Sequence, residues 1–159
     1  MKYTIKTYDT RYFAGIEKED GLSVGENEDL TEFWDVFLQE DLALLRDVKY
    51  PLNIIGLDCY PPDFKQQQKF DYYAMVEILN AQEQSGFVTK KLPKGEYILF
   101  EIPNENIQDE IRKVYRYIKR NNIKIHPGFD YEDFVTPNKD LDNAIVYFAL
   151  LLEGEDHNA

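Results

Sequence analysis

Cysteine is nearly absent from this chain: among 159 residues only Cys59 carries a thiol. A lone thiol excludes an internal disulfide and fits a reducing, cytoplasmic setting. Histidine is also scarce, with only His126 and His157. No spacing of His, Cys and acids suggests a zinc site, so no metal is expected. The P-loop and GxGxxG signatures are missing too, and no cofactor is expected. No stretch reaches the roughly 20 apolar residues of a membrane span. The opening Met-Lys-Tyr-Thr-Ile-Lys lacks the apolar run of a secretory signal. Basic residues are few, 18 against 30 acids, for a net charge of −12. That balance opposes direct nucleic-acid binding, which needs Lys and Arg to replace phosphate counterions, and it opposes anionic membranes. It draws cations at long range.

What the chain has in quantity is rings. Twelve Tyr, ten Phe and Trp34 make up 14% of it. Tyr pairs an apolar body with a polar tip and suits a half-wet pocket.

Periodicity orders the elements. Tyr3–Tyr8 and Arg11–Glu17 read as strands joined at Asp9-Thr10 into a hairpin, with Gly15 marking a bulge or a close backbone approach. A helix opens at Asp29, where Glu32 three residues on resembles a capping box. Its apolar stripe runs Leu30, Phe33, Trp34, Phe37, Leu38, Leu42 and Leu45. Strands follow at Leu52–Tyr60 and Phe70–Ile78, separated by the polar loop Asp63–Lys69. The pattern then restarts: strand Phe87–Leu92, turn Pro93-Lys94-Gly95, strand Glu96–Ile102, a helix to about Arg120, strand Phe129–Phe134, loop Thr136–Asp142 and strand Ala144–Leu152. The helix has Asp109 and Glu110 near its start and Lys119 and Arg120 near its end, as the helix dipole prefers.

Both halves therefore have the same order. Residues 6–16 lie against residues 90–100 without a gap, and Asp58 lies against Glu132. The expected architecture is α+β: a duplicated ββαββ unit, with one antiparallel sheet, two long helices and a central ligand groove. One domain would span residues 1–152, with repeats at about 2–79 and 86–152, and residues 153–159 would form a flexible acidic tail.

The stretch Phe129-Asp-Tyr-Glu-Asp-Phe134 stands out. Period two puts Asp130, Glu132 and Phe134 on one face and Phe129, Tyr131 and Asp133 on the other. Whichever face is covered holds a carboxylate beside a ring. Such an acid must find a donor, hold a proton or await a cation; an edge strand with acids facing water is the plainer alternative. Asp58 is open between a second pocket acid and a surface residue. Cys59 reads as a small packed hydrophobe.

Lys91-Leu-Pro-Lys-Gly-Glu-Tyr-Ile-Leu-Phe100, the helix at Ile107–Asn121, Asp130-Tyr-Glu-Asp-Phe134, Arg11-Tyr-Phe-Ala-Gly15, Ile55-Gly56-Leu57 and Phe70-Asp71-Tyr72 together resemble the GyrI-like small-molecule-binding domain. This is the effector-binding domain of AraC-type and MerR-type regulators. The resemblance covers residues 2 to 152 and lacks a helix-turn-helix. It implies a groove between helices and sheet, with Glu132 as the pocket carboxylate that meets lipophilic cations. Trp34, Tyr72, Tyr97, Tyr117 and Tyr147 are the candidate walls; Tyr73 and Tyr115 belong to the wider ring set. Some relatives are hydrolases opening cyclopropane rings of genotoxins, for which Glu132 would be the catalytic base with an unassigned Tyr. A third implied role is a gyrase-inhibitor-like contact with a protein partner such as a topoisomerase. Oligomeric state is open.

Overall fold

The structure is a computed structural model, described here for residues 1–134 and 145–154. Its strands are β1 (Tyr3–Tyr8), β2 (Arg11–Glu17), β3 (Leu22–Ser23), β4 (Ile54–Cys59), β5 (Lys69–Ile78), β6 (Val88–Leu92), β7 (Gly95–Pro103), β8 (Phe129–Phe134) and β9 (Ile145–Leu151). Its helices are α1 (Thr31–Val36), α2 (Phe64–Gln67) and α3 (Ile107–Arg120). The loop expected at Thr136–Asp142, the start of the last strand at Ala144 and residues 155–159 of the tail lie outside the described residues. The remaining elements fall within about two residues of their expected places. The exceptions are the short strand β3 and the helical turn α2, inside the stretches Lys18–Glu28 and Asp63–Lys69 that read as loops, and the first helix.

That helix begins at Thr31, where the Asp29 carboxylate accepts from the Thr31 N–H at 2.9 Å, and Glu32 closes no capping box. After Val36 it widens into a π turn (Phe37–Asp41) and tightens into a 3₁₀ turn (Leu42–Leu44). It is thus less regular than the 14-residue α3.

The strand order is β1-β7-β9-β8-β4-β5-β2-β6, with β3 added beside β5, and every pairing is antiparallel. Exchanging β1 with β6, β2 with β7, β4 with β8 and β5 with β9 reproduces the same order in reverse. A pseudo-two-fold axis therefore passes between β4 and β8.

The expected hairpin does not form. β1 pairs with β7, while β2 pairs with β5 and β6. A two-residue hairpin wants a turn with positive φ, supplied by Asn-Gly or Asp-Gly, and Asp9-Thr10 has no glycine. Pro93, locked near φ −65°, prevents the matching turn between β6 and β7. Each half instead lends its first strand to the other.

This exchange bends the sheet. Asp9-Thr10 reaches only roughly 10 Å, yet it joins β1, at one end of the path, to β2, the last but one at the other. The sheet must curl, and its inner face becomes a core of Phe13, Ile55, Leu57, Tyr73, Met75, Tyr97, Leu99 and Tyr131. Gly15 sits in an unbroken ladder, so it marks a close approach and not a bulge. A Cβ there would collide with the Ala74 carbonyl oxygen.

Both long helical elements pack on the outer face. Phe37 from the first lies on Ala14, Ile54, Ala74, Val76 and Ile78. Val114 and Ile118 of α3 lie on Ile98, Phe100, Ile102, Val146 and Phe148. Eight strands about 4.8 Å apart make a sheet roughly 34 Å wide, and two helices roughly 10 Å across cannot cover it. The uncovered strip lies over the axis strands, β4 and β8.

Candidate functional site

Pairing places Gly56 opposite Glu132 and Asp58 opposite Asp130. Strand alternation turns Ile54, Asp58, Asp130, Glu132 and Phe134 toward the uncovered strip, while Ile55, Leu57 and Tyr131 enter the curled core. The axis relates Asp58 to Glu132 and Gly56 to Asp130, so three of four central positions carry an acid. The fourth cannot carry a side chain easily: a Cβ on Gly56 would lie 2.5 Å from the Tyr72 hydroxyl and 3.1 Å from Glu132 Oε1.

A groove of about 1270 Å³ rises over these acids, walled by Trp34 and Leu38 on one side and by Ile107, Ile111 and Tyr115 of α3 on the other. Phe64, Phe70, Tyr72, Phe129, Phe134 and Phe148 extend the apolar lining. Trp34 stands edge-on to Phe134, ring centroids 5.1 Å apart, and its Nε1–H donates to the Tyr72 hydroxyl at 3.0 Å.

The acids are almost sealed. Asp58 is 5%, Asp130 0% and Glu132 6% exposed. Each offers a carboxylate oxygen within 4.8 Å of the others. The Tyr60 hydroxyl donates to Asp130 Oδ2 at 2.6 Å, and the Tyr115 hydroxyl donates to the same oxygen. Asp130 Oδ1 and Glu132 Oε2 receive no N–H or hydroxyl hydrogen bond from the protein. Among the described residues no Lys or Arg forms an ion pair with any of the three.

Their proton affinities follow. Burial and the neighbouring charges of Glu132 and Asp130 push Asp58 well above the carboxylate range. Asp130 is raised by burial, but bonds from Asp58, Tyr115 and Tyr60 oppose the rise. Burial raises Glu132 to about 7, opposed by a bond with Asp58 and assisted by the charge of Asp130. Asp58 is thus the natural proton holder, and Asp130, with two phenol donors, the natural anion.

The candidate walls divide. Glu132, Trp34 and Tyr72 meet in the groove. Tyr97, Tyr117 and Tyr147 do not line it. Tyr97 points into the curled core, its hydroxyl donating to the Pro93 carbonyl at 2.6 Å. Tyr147 packs against that same core, one residue out of phase with groove-lining Phe148. Tyr117, two helical positions from Tyr115, rests on Phe100 and Tyr3 instead. Sequence reasoning passed over Asp130 and Tyr60. Asp130 shares a strand face with Glu132, which was the available signal; no pattern marked Tyr60.

Cys59 packs against the curled core with its thiol pushed up to about 11 by burial, unsuited to nucleophilic work. His126 lies at the groove, and its Nδ1 accepts from the Gly128 N–H at 3.1 Å. The carboxylate oxygens are hard donors, but calcium takes six to eight oxygens, and here rings crowd the three acids.

A family model for integron-associated effector-binding proteins, Cass2, matches residues 4–148. The chain belongs to that family. The Cass2-family chain shares its fold with SAV2435 bound to tetraphenylphosphonium (17% identity, 99% of this chain and 97% of that one covered, TM-score 0.76). It is also similar to an integron cassette protein from the mobile metagenome of Vibrio cholerae (18% identity, 95% of each chain, TM-score 0.66). A third similar structure is the C-terminal domain of EcmrR (8% identity, 97% and 98% covered, TM-score 0.66). No curated protein matches it in sequence. Membership establishes an effector-binding, GyrI-like domain. No helix among the described residues is long and apolar enough to cross a membrane.

Proposed function

We propose that this Cass2-family protein binds amphipathic organic cations in its groove, with Glu132 as the charged contact and Trp34 and Tyr72 as ring walls. One observation carries the reading: three buried carboxylates at the floor of an apolar groove, with no basic side chain paired to them among the described residues. Buried acids without a cation are costly. A lipophilic cation would supply the missing charge, and ring faces would add cation–π attraction and apolar area. Rings demand little directional match, so several ligands would be accepted. The tetraphenylphosphonium named for SAV2435 is a cation of this kind.

Calorimetric titration with tetraphenylphosphonium tests the proposal. Binding is expected, and Glu132→Gln, which keeps shape and removes charge, should cost about 2–5 kcal/mol of affinity. Absence of binding, or unchanged affinity in Glu132→Gln, refutes it.

A second reading rests on Glu132 itself. A carboxyl pushed up to about 7 is matched to general-base work near neutral pH, and Tyr60, Tyr72 and Tyr115 place phenols around the cluster. Such a site could activate water against a strained ring. Incubation with a cyclopropane-bearing alkylator distinguishes the two: turnover lost in Glu132→Gln supports a hydrolase, and binding without turnover excludes it.

A further inference from the structure

The three acids differ in their surroundings, and the differences assign their protons. Asp130 is completely buried, and one of its oxygens receives two phenol hydrogen bonds. Donors converging on one oxygen hold a standing negative charge there. Asp58 lies between the other two acids. The oxygens lacking any N–H or hydroxyl donor, Asp130 Oδ1 and Glu132 Oε2, belong to its two neighbours. Three carboxylates this close, out of water, cannot all be ionised. A proton on Asp58 can satisfy only one orphaned oxygen at a time, so the cluster shares it.

We infer that the groove takes up its cation in exchange for a proton: before binding, Asp58 and Glu132 hold a proton between them while Asp130 carries the standing charge, and the incoming cation drives that proton to solvent. No bond to the ligand forms. A neutral acid becomes a carboxylate, a hydron passes to buffer, and the positive charge lost is replaced by that of the ligand. This deepens the cation reading and rests on it.

Few titratable groups surround the pair. β4 and the residue beyond it give Asp58 and Tyr60, β5 gives Tyr72, β8 gives Asp130 and α3 gives Tyr115. The first helix presents Trp34, which does not titrate. Arg112, Arg116, Lys65, His126, Asp35, Glu26 and Glu28 also line the groove, and none forms an ion pair with the three acids.

The test is proton counting with tetraphenylphosphonium, which has no proton of its own to give. Titrations at pH 6 in buffers of different ionisation enthalpy should show release of about one proton per cation bound. Affinity should rise with pH, by about tenfold per unit where one proton is released, as long as the free cluster holds that proton. In Asp58→Asn the amide donates permanently to Glu132, so the variant, checked for a native melting profile, should bind at pH 6 with less than half the wild-type proton release. Binding to wild type without proton release and with flat pH dependence overturns the exchange but leaves the cation reading standing. Full release from Asp58→Asn removes Asp58 from it. Failure of the wild type to bind at any pH removes both the reading and the inference.

Discussion

Among the described residues, each face of the sheet buries charge that no ion pair neutralises, of opposite sign on the two faces and by opposite means. Inside the curl lies Arg11, 6% exposed. Its guanidinium carbon sits 3.7 Å from the Tyr8 ring centre, 5.0 Å from Tyr97 and 5.4 Å from Tyr131, and Nη2 donates to the Tyr131 hydroxyl at 2.9 Å. Two of its nitrogens, Nε and Nη1, have no hydrogen-bond partner. Ring faces thus do most of the work of holding a buried cation. On the outer face, over the axis, lie three acids supported by phenol hydroxyls, with no cation paired to them among the described residues. One face contains its own ligand in the form of Arg11; the other has rings and acids arranged for a ligand from outside. The chain shows, on its inner face, the kind of recognition proposed for its outer one.

The largest effect should come from emptying the internal cage. Arg11→Ala removes a cation held by rings and leaves a void among Tyr8, Phe13, Tyr97 and Tyr131, and should cost about 3–4 kcal/mol of stability by denaturant unfolding. Arg11→Met, apolar and similar in length, should recover at least half of that loss. If Arg11→Ala unfolds at the wild-type denaturant concentration, the cage is not a stabilising element and the comparison fails.

The outer face should respond to pH with a definite sign. An acid whose folded value is raised binds more protons in the native state than in the unfolded chain over the interval between the two values. There, stability falls as pH rises. Glu132 moves from 4.5 to about 7, so melting temperature should decline between about pH 5 and pH 8. Asp133, pushed up by burial to about 6, contributes in the same direction. Asp58, raised further, contributes to the same decline; Glu132→Gln removes the share of Glu132 and should stabilise the protein at pH 8 by about 2–3 kcal/mol, while weakening cation binding. A melting temperature that climbs from pH 5 to pH 8 contradicts this assignment. On the inner face Asp133 adds to this trend and Arg11 does not, because the guanidinium stays charged throughout.

Local pattern and global pairing were unequally visible in the sequence. Alternation and helical spacing located nearly every strand and both main helices, because those signals depend on neighbours a few residues apart. The repeat placed Asp58 opposite Glu132 in correspondence, which the pseudo-two-fold axis reproduces. What failed was partner choice. Asp9-Thr10 looks like a hairpin turn, and only the exchange of β1 and β6 between halves reveals the curl. That error also misplaced Tyr97: it does face a cation, but the cation is Arg11, across the curl in a core no local window shows. Tyr117 and Tyr147 were lost to phase, each lying beside or near a residue that faces the groove. Asp130 was hidden differently, since burying two acids two residues apart on one face contradicts the usual economy of cores.

A smaller break concerns room at the axis. Gly56→Ala puts a methyl 2.5 Å from the Tyr72 hydroxyl and 3.1 Å from Glu132 Oε1. Tyr72 is buried and tethered to Trp34, so it has little freedom to yield. The overpacking should cost about 1–3 kcal/mol, and it should lower cation affinity because Glu132 is the group displaced. Unchanged melting and unchanged binding would mean that the fourth central position has space the acids do not need.

The smallest expected effect discriminates most finely between the two faces. Tyr60→Phe deletes one of the two phenol donors on Asp130 Oδ2 and leaves the ring in place against Phe64 and Phe70. The hydroxyl of Tyr115 still serves the same oxygen, so the acid is not stranded, and the loss should be only about 1 kcal/mol by thermal melting at pH 8. At pH 5 the loss should shrink, because a cluster that has taken up another proton relies less on donors from outside it. On the inner face, Tyr131→Phe removes the hydroxyl that receives the Arg11 Nη2 bond, and that loss should be the same at both pH values, since the guanidinium does not titrate in this range. Equal pH dependence for the two substitutions would place the standing charge somewhere other than Asp130.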